Sequence, residues 1–147
     1  MKKPAIVLDI DDVILNTEYL YKEMLDLGIK KEDRLQYFYQ HCNSPRVELI
    51  PSTLFFAEEI IDNVIIILST ARNDKYRRAT IRKLKSYFFP FAEIYMRKEG
   101  DLRSSAEVKK EHLQEIMKDY HILAFIDNDL ENCLMAKKMG ILALRKV

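Results

Sequence analysis

Short apolar runs alternate with segments of helical spacing along most of the chain. Five runs predict buried strands: "PAIVLD" (4–9), "NVIIILS" (63–69), "FAEIYM" (91–96), "HILAFID" (121–127) and "ILALRKV" (141–147). Three segments between them repeat apolar residues every three or four positions and predict helices: 74–88, 105–118 and 129–139. Ser104 or Ser105 is a suitable N-cap for the second of these helices, and Gly140 is suited to end the third. Regular alternation of strand and helix predicts an α/β fold, with a parallel sheet covered by helices on both faces.

The stretch 17–62 departs from this rhythm. It predicts two or three helices in "TEYLYKEMLDLG", "KEDRLQYFYQHC" and "PSTLFFAEEII", between the first strand and the second. One of them can be the normal crossover helix, and the surplus then forms a small helical insert. We therefore expect residues 1–147 to form one domain that carries an insert at about 17–62.

Composition narrows the possible classes of protein. Twenty-four Lys and Arg against 23 Asp and Glu leave a net charge of +1, so no global field favours nucleic acid or a membrane surface. The two cysteines, Cys42 and Cys133, are far apart and lack zinc-ligand spacing, which indicates a reducing compartment. No apolar run approaches membrane-spanning length. We expect a cytoplasmic protein without a membrane partner.

Three carboxylates follow the first predicted strand, at Asp9, Asp11 and Asp12. Side chains alternate along an extended segment, so Asp9 and Asp11 should share one side and Asp12 should face the other. Neighbouring carboxylates repel each other, and a divalent cation would reverse that effect; oxygen ligands favour Mg2+ or Ca2+ over zinc. The alternative is an acidic turn in which one Asp caps the next helix.

Other polar groups follow the remaining predicted strands. "STAR" (69–72) ends the second and "DND" (127–129) ends the fourth, while Lys109 and Lys110 lie in the helix before the fourth. In open parallel sheets, ligands bind beyond the carboxyl ends of the strands, so these groups should share one crevice. Acids, a hydroxyl and an amine together suit phosphoryl transfer, with a carboxylate as nucleophile.

The order of these motifs resembles a known family. "LDIDDV", "LSTAR", a Lys and "FIDND" are similar to the four ordered motifs of the haloacid dehalogenase superfamily. The segments "STARNDKYRRATIRKL", "MRKEGDLRSSAEVKKEHL" and "AFIDNDLENCLMAKKMGI" resemble more specifically the 3'-phosphatase domain of phage-type polynucleotide kinase-phosphatases. The resemblance covers most of 64–147 plus 5–17 and fails across 18–62. It implies a Rossmann-like five-stranded parallel sheet with a small helical cap insert.

Catalytic roles follow from the resemblance residue by residue. It implies that Asp9 is the nucleophile, that Asp11 is the general acid and base, and that Lys109 neutralises the aspartyl-phosphate. It assigns the phosphoryl oxygens to Thr70, or to Ser69 if the register differs by one. The resemblance also implies Mg2+, bound by Asp9, Asp127 and the backbone carbonyl of Asp11, with Asn128 in the place of a second acid.

Substrate contacts and departures from the family pattern complete this assignment. Arg72 matches the arginine of the second motif and would contact substrate or phosphate. Arg103 is a further substrate-binding candidate, although pairing with Asp101 is the favoured interpretation. The chain departs from the pattern at three positions: Asp12 stands in place of a Gly, Asn128 replaces an Asp that Asp129 or Glu131 could compensate, and Ser105 replaces another Asp.

The function that follows is a Mg2+-dependent phosphomonoesterase with an aspartyl-phosphate intermediate, with a nucleic-acid 3'-phosphate, in DNA or RNA, as the favoured substrate. The basic segment "RNDKYRRATIRKLK" is favoured as a solvated helix face, with contacts to flanking phosphates as the alternative. No GxxxxGK[ST] kinase motif is present. Three rivals remain: a small-molecule phosphatase such as a nucleotidase, a non-enzymatic phosphoacceptor receiver domain, and a degenerate binder, which only Asn128 and Ser105 suggest. In a receiver domain the acceptor Asp would follow a middle strand and the Lys would come last.

Overall fold

A five-stranded parallel sheet forms the centre of the protein in a computed structural model that describes residues 1–147. The strand order is β5-β4-β1-β6-β7, so β1 lies in the middle of the sheet. The strands are β1 (Lys3–Leu8), β4 (Ile65–Asn73), β5 (Glu93–Arg97), β6 (Tyr120–Asp127) and β7 (Ala143–Arg145). A separate two-stranded antiparallel sheet pairs β2 (Leu15–Asn16) with β3 (Glu48–Leu49). The six helices are α1 (Glu18–Asp26), α2 (Arg34–His41), α3 (Pro51–Ile60), α4 (Arg77–Ser86), α5 (Ser105–Asp119) and α6 (Leu130–Lys138). The predicted α/β fold is confirmed.

Each face of the sheet buries its own apolar cluster. Alternate β1 side chains, such as Ile6 and Leu8, pack on one face with Ala57 of α3 and Leu84 of α4. The intervening residues of β1 pack on the other face against α5 and α6. Because the central strands are buried on both faces, they read in the sequence as continuous apolar runs.

Residues 17–47, between β2 and β3, form what we call the insert. It contains α1, a 3-10 turn (Lys31–Asp33) and α2, and it has a small core of its own formed by Leu20, Met24, Phe38 and Cys42. The third helix predicted in 17–62 behaves differently: α3 packs in the main core and leads into β4. Strands β2 and β3 were not predicted, because two residues are too few to produce an alternating pattern.

Several boundaries differ from the predicted ones. The strand predicted at 63–69 is β4 and continues to Asn73, so that "STAR" lies within it rather than after it. Helix α4 begins at Arg77 because residues 74–76 form a 3-10 turn, in which the Asn73 side chain accepts from the Lys75 N–H at 2.9 Å. Helix α5 starts with a full capping box between Ser104 and Glu107. None of the helices is both long enough and apolar enough to cross a lipid bilayer.

Candidate active site

Three charged side chains meet beyond the carboxyl ends of β1 and β6. The ammonium Nζ of Lys109, on α5, lies 2.9 Å from Asp9 Oδ1 and 2.5 Å from Asp127 Oδ2. All three side chains are at least nine-tenths buried, and the Ile10 N–H also donates to Asp9 Oδ1 at 2.8 Å. The other carboxylate oxygen of Asp9 makes no hydrogen bond within the protein. The structure thus brings together Asp9, Lys109 and Asp127, with one oxygen of Asp9 unengaged.

One ammonium serves two buried carboxylates, and this leaves the cluster with excess negative charge. Burial raises the pKa of Asp9 to about 8, and the nearby charges of Asp127 and Asp11 add to that effect while Lys109 opposes it. Burial by itself lowers the pKa of Lys109, but the two carboxylates outweigh it and the pKa is raised. Lys109 is therefore charged at neutral pH, and Asp9 needs a further positive charge nearby to ionise fully.

Asp127 is held by neighbours that the sequence motifs did not single out. Asn132 Nδ2 on α6 donates to Asp127 Oδ2 at 3.2 Å and to Ser105 Oγ at 3.1 Å. Ser105, one of the departures from the family pattern, thereby joins the network around Asp127. Asp129 caps α6 by accepting from the N–H groups of Glu131 and Asn132, so its carboxylate is already engaged.

Asp11 is held from the opposite side by Arg72. The guanidinium donates from Nε to Asp11 Oδ2 at 3.0 Å and from Nη2 to Asp11 Oδ1 at 2.7 Å. Thr17 Oγ1 donates to the same Oδ1 at 3.2 Å. A bidentate arginine pair fixes the plane of a carboxylate as well as its position. Asp11 therefore has a defined orientation, although it does not contact Lys109.

The turn after Asp9 is built around Asp12. This residue has a left-handed φ of 63°, a conformation that Asp and Asn tolerate better than most residues. Its Oδ1 accepts from the N–H groups of Thr17 at 3.0 Å and Glu18 at 2.8 Å, at the start of α1. Strand β1 ends at Leu8, so the acids lie in a turn and not on an extended strand as predicted. Asp12 thus performs the helix-capping role that was the alternative interpretation of the cluster.

The two hydroxyl candidates at the end of β4 face different neighbours. Ser69 Oγ is 2.8 Å from His112 Nδ1, and His112 Nε2 is 3.1 Å from the carbonyl of Met96, so the structure does not bring Ser69 to the carboxylates. Burial lowers the pKa of His112 to about 4, which keeps this imidazole neutral. Thr70 is buried two residues beyond the Leu8–Leu68 pair of β1 and β4, and its Oγ1 accepts from the Arg72 N–H at 3.1 Å. Of the two, Thr70 is the one whose hydroxyl contacts Arg72, the residue that holds Asp11.

The two remaining candidates, Asn128 and Arg103, are engaged in other contacts. Asn128 borders a second cleft of about 670 Å³ together with Asp12 and Arg145, and its backbone carbonyl accepts from Arg145 Nε at 3.1 Å. Arg103 forms ion pairs at 2.7 Å with both Asp101 and Glu111, as the favoured interpretation anticipated for Asp101.

An open cleft of about 550 Å³ lies against Asp11, between the insert and the loop that follows β5. It is lined by aromatic side chains and by an excess of cations over acids; its cations are Lys31, Arg34, Arg72, Arg97 and Arg103. Burial and the nearby charges of Asp11 and Asp12 raise the pKa of Tyr21, another lining residue, to about 12. No residue of α4 lines this cleft, so the basic segment is not part of it.

The donor set around Asp9 suits magnesium. No three His, Cys, Asp or Glu side chains converge as a preformed metal centre. Mg2+ is commonly held by only one or two carboxylates together with waters and substrate oxygens, and Asp9 and Asp127 supply two. Their excess negative charge is what a hard cation would balance. Asn132 Oδ1, on the amide that contacts Asp127, is buried without a partner, and water bound to a cation could donate to it.

Two residues of the site, Asn132 and Asn43, were not predicted from the sequence. The side chain of Asn43 accepts from Arg72 Nη1 at 2.7 Å. Asn132 had a weak signal, because it is a polar residue on the buried side of a helix whose other buried residues are Cys133 and Ala136. Asn43 had none, since it belongs to the insert, where the family resemblance fails.

Comparisons with known proteins agree with this geometry. Residues 1–143 match the family model of the HAD superfamily, subfamily IIIB (acid phosphatase). No curated protein sequence matches the chain.

Solved structures have a similar fold at low sequence identity. The Pnkp1/Rnl/Hen1 complex contains a chain with a TM-score of 0.78 and 18% identity, over 99% of this chain and 46% of that one. A class C acid phosphatase from Bacillus anthracis with tungstate bound has a TM-score of 0.73 and 21% identity, over 90% of this chain and 54% of that one. A haloacid dehalogenase-like hydrolase from Streptococcus pneumoniae has a TM-score of 0.69 and 16% identity, over 96% of this chain and 83% of that one. The chain thus spans about half the length of the first two.

Because the family model matches nearly the whole chain, the protein belongs to the haloacid dehalogenase superfamily of phosphatases, in subfamily IIIB.

Proposed function

We propose that the protein is a Mg2+-dependent phosphomonoesterase that removes 3'-phosphates from nucleic-acid ends through a phosphoryl group on Asp9. The observation that carries the chemistry is the free oxygen of Asp9 beside a buried ammonium shared with Asp127. A carboxylate nucleophile needs an unengaged oxygen and a cation to offset the charge of an incoming phosphate.

The first step forms one bond and breaks another. Asp9 Oδ2 attacks phosphorus in line, the bond from phosphorus to the leaving oxygen breaks, and Asp11 transfers its proton to that oxygen. Oδ1 of Asp11 already accepts from Arg72 and Thr17, but Oδ2 accepts only from Arg72 Nε and has a second lone pair, so Oδ2 can carry the proton while the Arg72 contacts persist. Lys109 and the N–H of Ile10 hold Asp9 in place for the attack.

The second step returns the enzyme to its initial state. Asp11, now a carboxylate, takes a proton from water; the water oxygen bonds to phosphorus and the bond to Asp9 breaks, which releases inorganic phosphate. Mg2+ bound by Asp9, Asp127 and the Asp11 carbonyl would supply positive charge for the phosphoryl oxygens. Asn128 remains a candidate ligand and Thr70 a candidate contact for those oxygens.

The cleft beside Asp11 supports a nucleic-acid end as substrate. Lys31 and Arg34 have no acidic partner, so their charge is available to flanking phosphates, whereas Arg97 already donates from Nε and Nη1 to backbone carbonyls. Aromatic side chains provide surfaces on which bases can stack. The resemblance of the chain to phage-type 3'-phosphatase domains points the same way, as does its structural similarity to a Pnkp1 chain from an RNA repair complex.

A release assay tests this assignment. Inorganic phosphate is measured from a 3'-phosphorylated oligonucleotide, a 5'-phosphorylated oligonucleotide, a mononucleotide 3'-phosphate and an aryl phosphate. We expect kcat/KM to be highest for the first, and its logarithm to fall with the logarithm of salt concentration by roughly 0.7 for each phosphate contact. Equal efficiency on the mononucleotide at low salt would reject the polynucleotide assignment.

Charge reversal locates the contacts. The double variant Lys31→Glu/Arg34→Glu should raise KM for the oligonucleotide by about tenfold and leave the aryl phosphate unchanged. The matched control is Arg78→Glu/Arg82→Glu, which makes the same change in net charge on the exposed face of α4. A larger increase in KM from the control variant would indicate that the oligonucleotide binds along α4 instead.

A small-molecule phosphatase is the second candidate. The cleft volume of about 550 Å³ lies within the range typical of small-ligand sites, and the insert forms one of its walls. This alternative predicts that the mononucleotide and the oligonucleotide are hydrolysed with equal efficiency in the same assay.

A further inference from the structure

Arg72 is a buried connector between the catalytic turn and the insert. Its guanidinium carries five N–H donors, and five acceptor contacts surround it. Two go to Asp11; the other three go to Asn43 Oδ1 at 2.7 Å, Thr80 Oγ1 at 3.2 Å and the Cys42 carbonyl at 3.4 Å. The residue is 2% exposed, which leaves no N–H for a substrate phosphate. Arg72 therefore acts on the site through Asp11.

The insert supplies a large part of this environment. Asn43 and Cys42 contribute two of the acceptors, and the Phe38 ring lies 5.8 Å from the guanidinium carbon. Asn43 makes the shortest of the contacts to Nη1, and it lies two residues after His41, the last residue of α2. The position of the insert is thereby linked to the orientation of the Asp11 carboxylate.

We propose that Asn43 is a positioning residue that orients Asp11 through Arg72, which rests on the proposed role of Asp11 as the proton donor. A guanidinium is a rigid planar fork, so loss of its Asn43 contact turns the same plane that fixes both oxygens of Asp11. The loss also leaves a buried N–H without a partner, which favours rotation toward other acceptors. Proton transfer to a leaving group depends steeply on such alignment.

A simpler possibility is that Asn43 only closes the insert against the core. The two roles differ in what they do to substrates of different leaving-group basicity. An aryl phosphate with a good leaving group departs without much help from an acid, whereas one with a poor leaving group requires it. A purely structural role for Asn43 would affect both substrates equally.

The experiment compares kcat/KM for phenyl phosphate and p-nitrophenyl phosphate, which are similar in shape but differ in the basicity of the leaving oxygen. For Asn43→Ala we expect a loss of about tenfold or more on phenyl phosphate, and of no more than about twofold on the nitro compound. Asn43→Asp keeps an acceptor for Arg72 and should restore phenyl phosphate turnover. Gln40→Ala, at an exposed position of α2, is the matched control and should behave as wild type.

Equal losses on the two phosphates, or a change confined to KM, would overturn the positioning role. If Asn43→Ala does not fold, Thr80→Val removes the other acceptor of Nη1 from the side of the core, and the same substrate pattern is expected; its absence counts against the proposal.

Asp11→Asn separates this inference from the proposed function. If it lowers both phosphates equally, Asp11 is not the proton donor and the proposed function fails. If it selectively lowers phenyl phosphate while Asn43→Ala and Thr80→Val do not, only the role of Asn43 is rejected.

Discussion

Asp9 and Asp11 are two residues apart, yet different parts of the molecule hold them. As a whole residue, Asp9 is 5% exposed. It contacts Lys109 from α5, so its position depends on the sheet and the helices packed against it. Asp11 is held by Arg72, which in turn contacts the insert through Asn43. The side chain of Asp11 is also more exposed, at 23% against 8% for Asp9.

This difference suggests a division of labour. The proposed nucleophile, Asp9, must stay in one position through both proposed steps, and a buried core provides that rigidity. The proposed proton donor, Asp11, is oriented by Arg72 and therefore depends on where the insert lies against the core. The core side can be tested by substitutions that leave the insert unchanged.

The largest effect should come from Asp9→Asn. An amide cannot accept the phosphoryl group as a carboxylate does, so we expect kcat to fall by at least about a thousandfold. Thermal unfolding should occur at an equal or higher temperature, because the amide keeps the shape of the side chain and removes an ionisable group that burial disfavours, as its pKa of about 8 shows. Substantial phosphatase activity in the folded variant would exclude Asp9 as the nucleophile.

Lys109→Met should destabilise the fold as well as inactivate the site. It leaves two buried carboxylates without their cation, for which we expect a loss of about 3–5 kcal/mol in the free energy of unfolding. Lys110→Met is the control, since the neighbouring lysine is exposed. Similar urea midpoints for the two variants would contradict the assignment of Lys109.

His112 should make stability depend on pH on the core side of the site. Its pKa is about 4 in the folded protein and about 6.5 when unfolded, so the unfolded chain gains a proton first as the pH falls. The stabilisation is complete above pH 6.5 and declines as the pH falls toward 4, by about 3 kcal/mol in total.

Comparison with a variant isolates this contribution from those of other groups. The difference in unfolding free energy between wild type and His112→Asn should decrease as the pH is lowered across that interval. His121→Asn, at an exposed position, should show no such trend. A difference that is constant with pH would mean that His112 is not buried as a neutral group.

Magnesium should change stability by less than Lys109→Met or the titration of His112 does. Binding to the folded state alone at a hundred times Kd stabilises it by about 2.7 kcal/mol, and excess chelator should remove that gain together with activity. Asp127→Asn should reduce the thermal shift, whereas Asp62→Asn, at an exposed position that precedes β4, should not. Unchanged activity in excess chelator would exclude a metal requirement.

Much of the core side could be predicted from the sequence, because its signals are local. Buried strands produce continuous apolar runs, and the polar groups that follow them meet at one edge of a parallel sheet. These two signals are enough to place Asp9 and Asp127 together, whereas Lys109 was chosen over Lys110 by the family resemblance alone. The choice between Ser69 and Thr70 could not be made, since adjacent residues on a strand face opposite sides and one residue of register reverses them.

The insert side was much harder to predict. Its helices were recognised from their spacing, but the contact between Asn43 and Arg72 joins residues 29 positions apart. Such a contact depends on how the insert packs on the sheet, which hydrophobic periodicity does not encode. The role of Asn132 likewise depends on the proximity of α6 to Ser105 at the start of α5.

Asp12 also carries a consequence for which substitutions this fold can accept. A glycine would adopt its left-handed backbone freely, but could not accept the two N–H groups that begin α1. In a saturation library at this codon we expect Asp and Asn to be retained, Gly to survive with a loosened insert, and Val, Ile and Thr to be lost. The start of α1 would then be held by a side chain, which a glycine at this position could not replace without readjusting the helix.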